Sequence, residues 1–115
     1  DPKIYEGKFK KTAFPIILGH EMSGTVAEIG EEASEMYKVS KGDRITVEPY
    51  IPCGHCNYCL SGYYQLCGYS RCYGVSISSS TYPHIWGAYG EYMYVAPGSL
   101  VHKLEKGIHD ESGCF

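Results

Sequence analysis

Four of the six cysteines, Cys53, Cys56, Cys59 and Cys67, fall within fifteen residues as C-x2-C-x2-C-x7-C. Thiols three residues apart on a tight turn can converge on one point, whereas pairing them all as disulfides would need strained short loops. An even cysteine count in a short chain is also the mark of a disulfide-stapled secreted module, but this spacing favours a metal. Zinc suits four thiolates in tetrahedral geometry with no open position, and a closed site of that kind is structural rather than catalytic. Gly54 permits the positive backbone angle that a knuckle between two ligands often requires, and Gly62 can end a short turn or helix after Cys59. His55 is a rival ligand. It sits between two cysteines on the same turn, so its side chain should point away. Cys72 reads as a free thiol, and Cys114 has no assigned role.

A second constellation precedes the cysteines. Gly19-His20-Glu21-Met22-Ser23-Gly24, followed by Gly30 and Ala33, spells G-H-E-x2-G-x5-G-x2-A. A histidine entering a strand beside a carboxylate can be a metal ligand; on this evidence alone it can equally be the start of a strand.

The elements that must position these residues are mostly β. Gly and Pro recur, at Gly19, Gly24, Gly30, Gly42, Pro49, Pro52, Gly87, Gly90 and Pro97, and the apolar stretches between them are short. Strands are expected at Gly24 to Ile29, Arg44 to Glu48, Glu91 to Val95 and Leu100 to Lys103, with a turn at Pro97-Gly98. Several short strands with turns suggest a barrel. The acidic piece Gly30 to Glu35 reads as a solvated loop or single helical turn, and Lys41-Gly42-Asp43 as the turn into the next strand. Ser76 to Thr81 is a polar run that could form a flexible loop over a binding surface. Tyr82, His84, Trp86 and Tyr89 follow it, and packing is the preferred reading of these aromatics.

Composition bounds the function. With 115 residues, 43% of them hydrophobic and 20% charged, the chain has the balance of one globular domain, and a domain of this length hides roughly two-thirds of its unfolded surface. A formal charge of −3 without a basic run weakens a nucleic-acid or anionic-membrane role. No apolar stretch approaches a spanning helix. Residues 1 to 11 are charged and polar, unlike a signal peptide, and the apolar run from Phe14 to Leu18 is broken by Pro15. The expectation is a soluble, cytoplasmic protein, and a fragment, because it starts at Asp1 and lacks any stop signal at Cys114-Phe115.

Taken together, the motifs resemble the zinc-dependent alcohol dehydrogenases of the medium-chain dehydrogenase superfamily, in their GroES-like catalytic domain. The resemblance runs from Tyr5 and Gly7 through Pro15 and the G-H-E signature, then Gly42-Asp43-Arg44, the cysteine lobe and Gly87-Ala88-Tyr89-Gly90-Glu91-Tyr92. The tail from Val101 to Asp110-Glu111 is similar to the family's exit toward its cofactor domain. It implies a mainly β fold over residues 1 to 115, a partly open GroES-like barrel with short helices and a zinc lobe at about 51 to 72.

By the same resemblance, Cys53, Cys56, Cys59 and Cys67 hold a structural zinc, and His20 holds a second, catalytic zinc. Glu21 binds that metal directly in some members and stands just outside it in others. Asp1 is the carboxylate that accepts a hydrogen bond from the His20 imidazole and fixes its tautomer. The family's first catalytic cysteine would fall three residues before Asp1, and its proton-relaying Ser or Thr would also be missing. The chemistry implied is alcohol oxidation: an open zinc site lowers the pKa of a bound alcohol, whose carbon gives hydride to NAD or NADP. No G-x-G-x-x-G fingerprint of a Rossmann domain is present, so the chain alone should not catalyse efficiently. The implied substrate is a small alcohol or polyol, closer to polyol or threonine dehydrogenases than to ethanol enzymes, with Pro49-Tyr50 and Trp86 near its cleft. The implied assembly is a homo-oligomer without nucleic-acid or membrane partners. The alternatives are a stand-alone zinc-knuckle binding module and a non-catalytic GroES-like interaction domain.

Overall fold

In the computed structural model, which describes residues 1–114, burial alternates along Arg44–Val47. Ile45 and Val47 are buried while Arg44 and Thr46 are half-exposed, the period of a strand with one covered face. This strand, β2, is the middle of a three-stranded antiparallel sheet ordered β1-β2-β5. β1 (Met22–Thr25) pairs Met22 with Val47 and Thr25 with Arg44. β5 (Val101–Lys103) pairs Val101 with Val47 and Lys103 with Ile45.

The chain divides into two compact units, and this sheet lies in the one made of Glu21–Glu48 and the segment from Leu100 onward. Its first strand starts two residues before the expected Gly24 and stops at Thr25. Beyond it, Val26 is tied to the Lys41-Gly42-Asp43 turn, its N–H donating to the Asp43 carbonyl and its carbonyl accepting from Gly42 N–H. The acidic piece after Gly30 is longer than a single turn. It forms the seven-residue helix α2 (Glu31–Tyr37), with Glu31 and Glu32 at the end of the helix dipole that favours negative charge. Lys38 ends it in the left-handed conformation, φ 56°, and the Ser34 hydroxyl donates to the Val39 carbonyl at 2.6 Å. None of its residues is buried, which is why composition alone reads as a solvated loop. The Arg44 guanidinium bonds the Asp110 carboxylate and the Ile108 carbonyl, tying helix α4 (Asp110–Gly113) to the sheet.

The other unit comprises Asp1–His20 and Pro49–Ser99. Its short helix α1 (Pro2–Tyr5) buries Ile4. Strands β3 (Tyr50–Ile51) and β4 (Arg71–Cys72) pair antiparallel, Tyr50 with Cys72 and Ile51 with Arg71, and so close the neck of a lobe formed by residues 52–70. Tyr73 follows, with 0% of its surface exposed. Its hydroxyl bonds Ser99 Oγ at 2.6 Å and accepts from Ala96 N–H at 2.7 Å. Trp86 stacks on Tyr73, meets Tyr94 edge-on at 5.2 Å and donates its indole N–H to the Thr81 carbonyl.

Two expectations fail in this unit. Glu91 to Val95 runs without a strand ladder, bonding through Tyr94 N–H to the Ile85 carbonyl, with Tyr94 packed edge-on against Trp86 and Tyr92 left exposed. The polar run Ser76 to Thr81 is not a free loop: Ile77 is buried, and the Ser78 hydroxyl, the Ser79 hydroxyl and the Ser79 N–H all donate to the Pro15 carbonyl. Among the described residues, no helix is long and apolar enough to cross a membrane.

Candidate metal centres

The lobe turns its cysteines inward by local geometry. Cys56 is the extended N-cap of helix α3 (Asn57–Leu60), and Cys59 is its third residue, so the two share a helix face with sulfurs 3.5 Å apart. Gly54 has φ +77°, which folds the knuckle back and sets Cys53 Sγ 3.8 Å from Cys59 Sγ. Gly62, φ +82°, ends the helix, its N–H donating to the Cys59 carbonyl. A 3-10 turn, Tyr64–Leu66, then delivers Cys67. All four sulfurs lie within 4.8 Å of one another. Zinc–sulfur bonds of about 2.3 Å make a regular tetrahedron with edges of about 3.8 Å, so the donor set fits a closed tetrathiolate site.

Cys67 and Cys59 are pulled in opposite directions. The backbone amide of Cys53, aided by that of Tyr69, pulls the Cys67 thiol down to about 6. Desolvation and the neighbouring sulfurs push Cys59 up to about 12. The amides around Cys67 thus favour its thiolate, the form that binds metal.

His55 is exposed, with Nδ1 2.8 Å from the Cys53 carbonyl, and stands outside the sulfur cluster. Cys72 also lies outside it, half-buried, its thiol pushed up to about 11 by burial. Cys114 Sγ is directed at Ser23 Oγ and the Asp110 carbonyl.

His20 is held differently. Its Nδ1 lies 3.2 Å from Asp1 Oδ1, with the histidine side chain 35% exposed and the aspartate 15%. Asp1 occupies the N-cap of α1 yet makes no side-chain cap bond. An aspartate there ordinarily caps its own helix; this one reaches the imidazole. Glu21, the first residue of the other unit, is exposed. Trp86, expected near a substrate cleft, is instead buried in the core at 4% exposure, because its indole fills the space between Tyr73 and Tyr94.

What seats the His20 segment is a set of glycines that motif reading does not interpret. A Cβ on Gly87 would stand 2.0 Å from the Ile17 carbonyl oxygen, and one on Gly74 would stand 2.2 Å from that of Gly19. The close approach lets Ala88 N–H and Tyr89 N–H donate to the Gly19 and Leu18 carbonyls. Glycines placed among bulky aromatics, as in Gly87-Ala88-Tyr89-Gly90, are the sequence signal for such backbone contact.

Residues 1–106 match the family described as Alcohol dehydrogenase GroES-like domain. The chain belongs to that family. Among the relatives of this GroES-like domain is the "Probable alcohol dehydrogenase adh" of Mycobacterium tuberculosis, 39% identical over 114 residues, covering 96% of this chain and 30% of the relative. Sorbitol dehydrogenase of Halalkalibacterium halodurans is 36% identical over 116 residues, covering 100% and 30%. Among solved structures, an alcohol dehydrogenase from Thermotoga maritima superposes with a TM-score of 0.84 at 28% identity, over 97% of this chain and 32% of that one. The GroES-like domain described here thus spans about 30% of the length of these curated relatives.

Proposed function

We propose that this domain is the metal-binding part of a zinc-dependent oxidoreductase that moves hydride between a small alcohol or polyol and NAD or NADP. The observation that carries the reading is the convergence of Cys53, Cys56, Cys59 and Cys67 within 4.8 Å, in the same unit as a histidine oriented by a carboxylate. The four cysteines would hold a structural zinc. His20, with Nδ1 against Asp1, keeps its other ring nitrogen for a catalytic metal, and Glu21 stands next in the chain as a direct or outer ligand. When bound, the metal supplies Lewis acidity toward a hydroxyl oxygen and the nicotinamide supplies the hydride acceptor. The role of Asp1 is to keep the imidazole in one tautomer and one orientation.

The sorbitol dehydrogenase relative supports the polyol end of the substrate range. The charge of −3 argues against nucleic-acid partners. Cysteines without disulfides are at home in the cytoplasm, the location assigned by this reading.

Elemental analysis tests the lobe. The purified chain should carry about one tightly held zinc that Cys56→Ser releases, with a large fall in melting temperature, because structural zinc supplies folding free energy directly. Unchanged zinc and melting would overturn the tetrathiolate assignment. In the enzyme carrying this domain, His20→Ala should end alcohol oxidation and leave the lobe zinc in place; undiminished turnover would exclude His20 as a catalytic ligand.

A further inference from the structure

The contact between Asp1 and His20 turns residues 2–19 into a loop whose two ends meet at the imidazole. Its returning limb is pinned, the Pro15 carbonyl accepting from Ser78 and Ser79 and the Leu18 and Gly19 carbonyls from Tyr89 N–H and Ala88 N–H. Its outgoing limb carries Lys3, Lys8, Lys10 and Lys11, four of the chain's ten Lys and Arg residues, all exposed. Lys3 stands on α1 two residues after Asp1, about 3 Å along the helix axis, and Lys8 N–H returns to the Lys3 carbonyl at 2.8 Å. Only two carboxylates share the loop, and both are taken: Asp1 by His20, and Glu6 by Lys8 Nζ at 2.6 Å. Among the described residues, Lys3, Lys10 and Lys11 have no ion-pair partner.

We propose that these lysines select a phosphorylated polyol, holding its phosphate while the carbinol to be oxidised lies at His20. The inference deepens the oxidoreductase reading and rests on it. An uncharged polyol gains nothing from a free ammonium group. A phosphate monoester carries about −1.5 to −2 charges near pH 7 and three acceptor oxygens, enough for several ammonium donors at once, and lysine meets phosphate as a point charge on a flexible stem. Position ties the anion to the substrate: the loop leaves from Asp1 and closes on His20, so a phosphate gathered by it is held beside the pair that would orient the metal ligand, and binding energy far from the reacting carbon fixes that carbon in place. Oxidation proceeds as for a plain polyol, hydride passing to NAD or NADP and the hydroxyl proton to water, and the phosphoester bond stays intact. The phosphates of the nicotinamide cofactor share this chemistry, and kinetics separate the two sources.

Steady-state kinetics of the enzyme carrying this domain test it, with a set of pentitols and hexitols offered both plain and as terminal monophosphates. At low salt kcat/KM for the best monophosphate should exceed that of its plain polyol at least about tenfold, and the preference should shrink at about 0.5 M salt. Lys10→Gln and Lys11→Gln in one chain should cut the preference at least about fivefold, with zinc content and circular dichroism unchanged. Lys106→Gln, exposed in the other unit, should leave it as it was. Plain polyols oxidised as well as their monophosphates, a preference that survives the double substitution, or a change confined to the KM of NAD or NADP would each overturn the proposal and leave the oxidoreductase reading standing. Turnover of no member of the set would remove that reading and the proposal with it.

Discussion

Asp1 Oδ1 lies 3.2 Å from His20 Nδ1, a contact made across nineteen positions of sequence by an aspartate that leaves its own helix uncapped. A carboxylate at that distance accepts from Nδ1–H and leaves Nε2 without the proton. Long-range nitrogen–proton correlation spectra should show neutral His20 as the Nδ1–H tautomer, and Asp1→Ala should shift it toward the Nε2–H form that free imidazole prefers. The same tautomer mixture in both proteins would mean that the carboxylate does not orient the ring.

Backbone contact behind His20 is sensitive to one methyl group. Gly87→Ala would set a Cβ 2.0 Å from the Ile17 carbonyl oxygen and should destabilise the fold by about 2 kcal/mol or more, since overpacking against backbone cannot relax by a rotamer change. Gly24→Ala, with nothing within 4 Å of the new atom, should change stability by no more than about 0.5 kcal/mol. Urea unfolding of the two variants separates them; equal effects would count against the close approach.

Removing the buried Tyr73 hydroxyl should cost about 1–3 kcal/mol, because Tyr73→Phe strands both the Ser99 hydroxyl and the Ala96 N–H that meet it at 2.6 and 2.7 Å. Chemical denaturation measures the loss. A change near zero would show that water or a local shift restores both partners.

Asp43 gives a pH dependence. Lys103 Nζ at 2.7 Å, aided by Ser40 N–H at 2.8 Å, holds its carboxyl below the ordinary 3.8. A folded value below the unfolded one stabilises the protein at pH above the unfolded value and is lost as pH falls through the folded one. Asp43→Asn should therefore be less stable than wild type at pH 7, with a gap that shrinks below about pH 4 and also in high salt. Unfolding curves at both pH values check this; a gap that persists in acid would assign the loss to the turn rather than the charge.

What the sequence determined by itself is whatever depends on neighbours along the chain. The spacing of Cys53, Cys56, Cys59 and Cys67 dictates that their sulfurs can meet, because i, i+3 positions on a knuckle and a helix turn share a side. Alternation in Arg44–Val47 and the Gly42-Asp43 turn set a strand, since period and turn chemistry are local. Tertiary structure decided the rest. The two-residue pair of β3 with β4 is too short to leave a pattern, and α2 shows no buried face for periodicity to reveal. Glu91 to Val95 has the residues of a strand but gives Tyr94 to Trp86. The reach of Asp1 to His20 followed only from family resemblance, and glycines set beside aromatics at Gly74 and Gly87 signal a close backbone approach without naming Gly19 and Ile17 as the partners. Contacts between residues far apart in the chain depend on where the intervening segments pack, and local spacing carries no record of that.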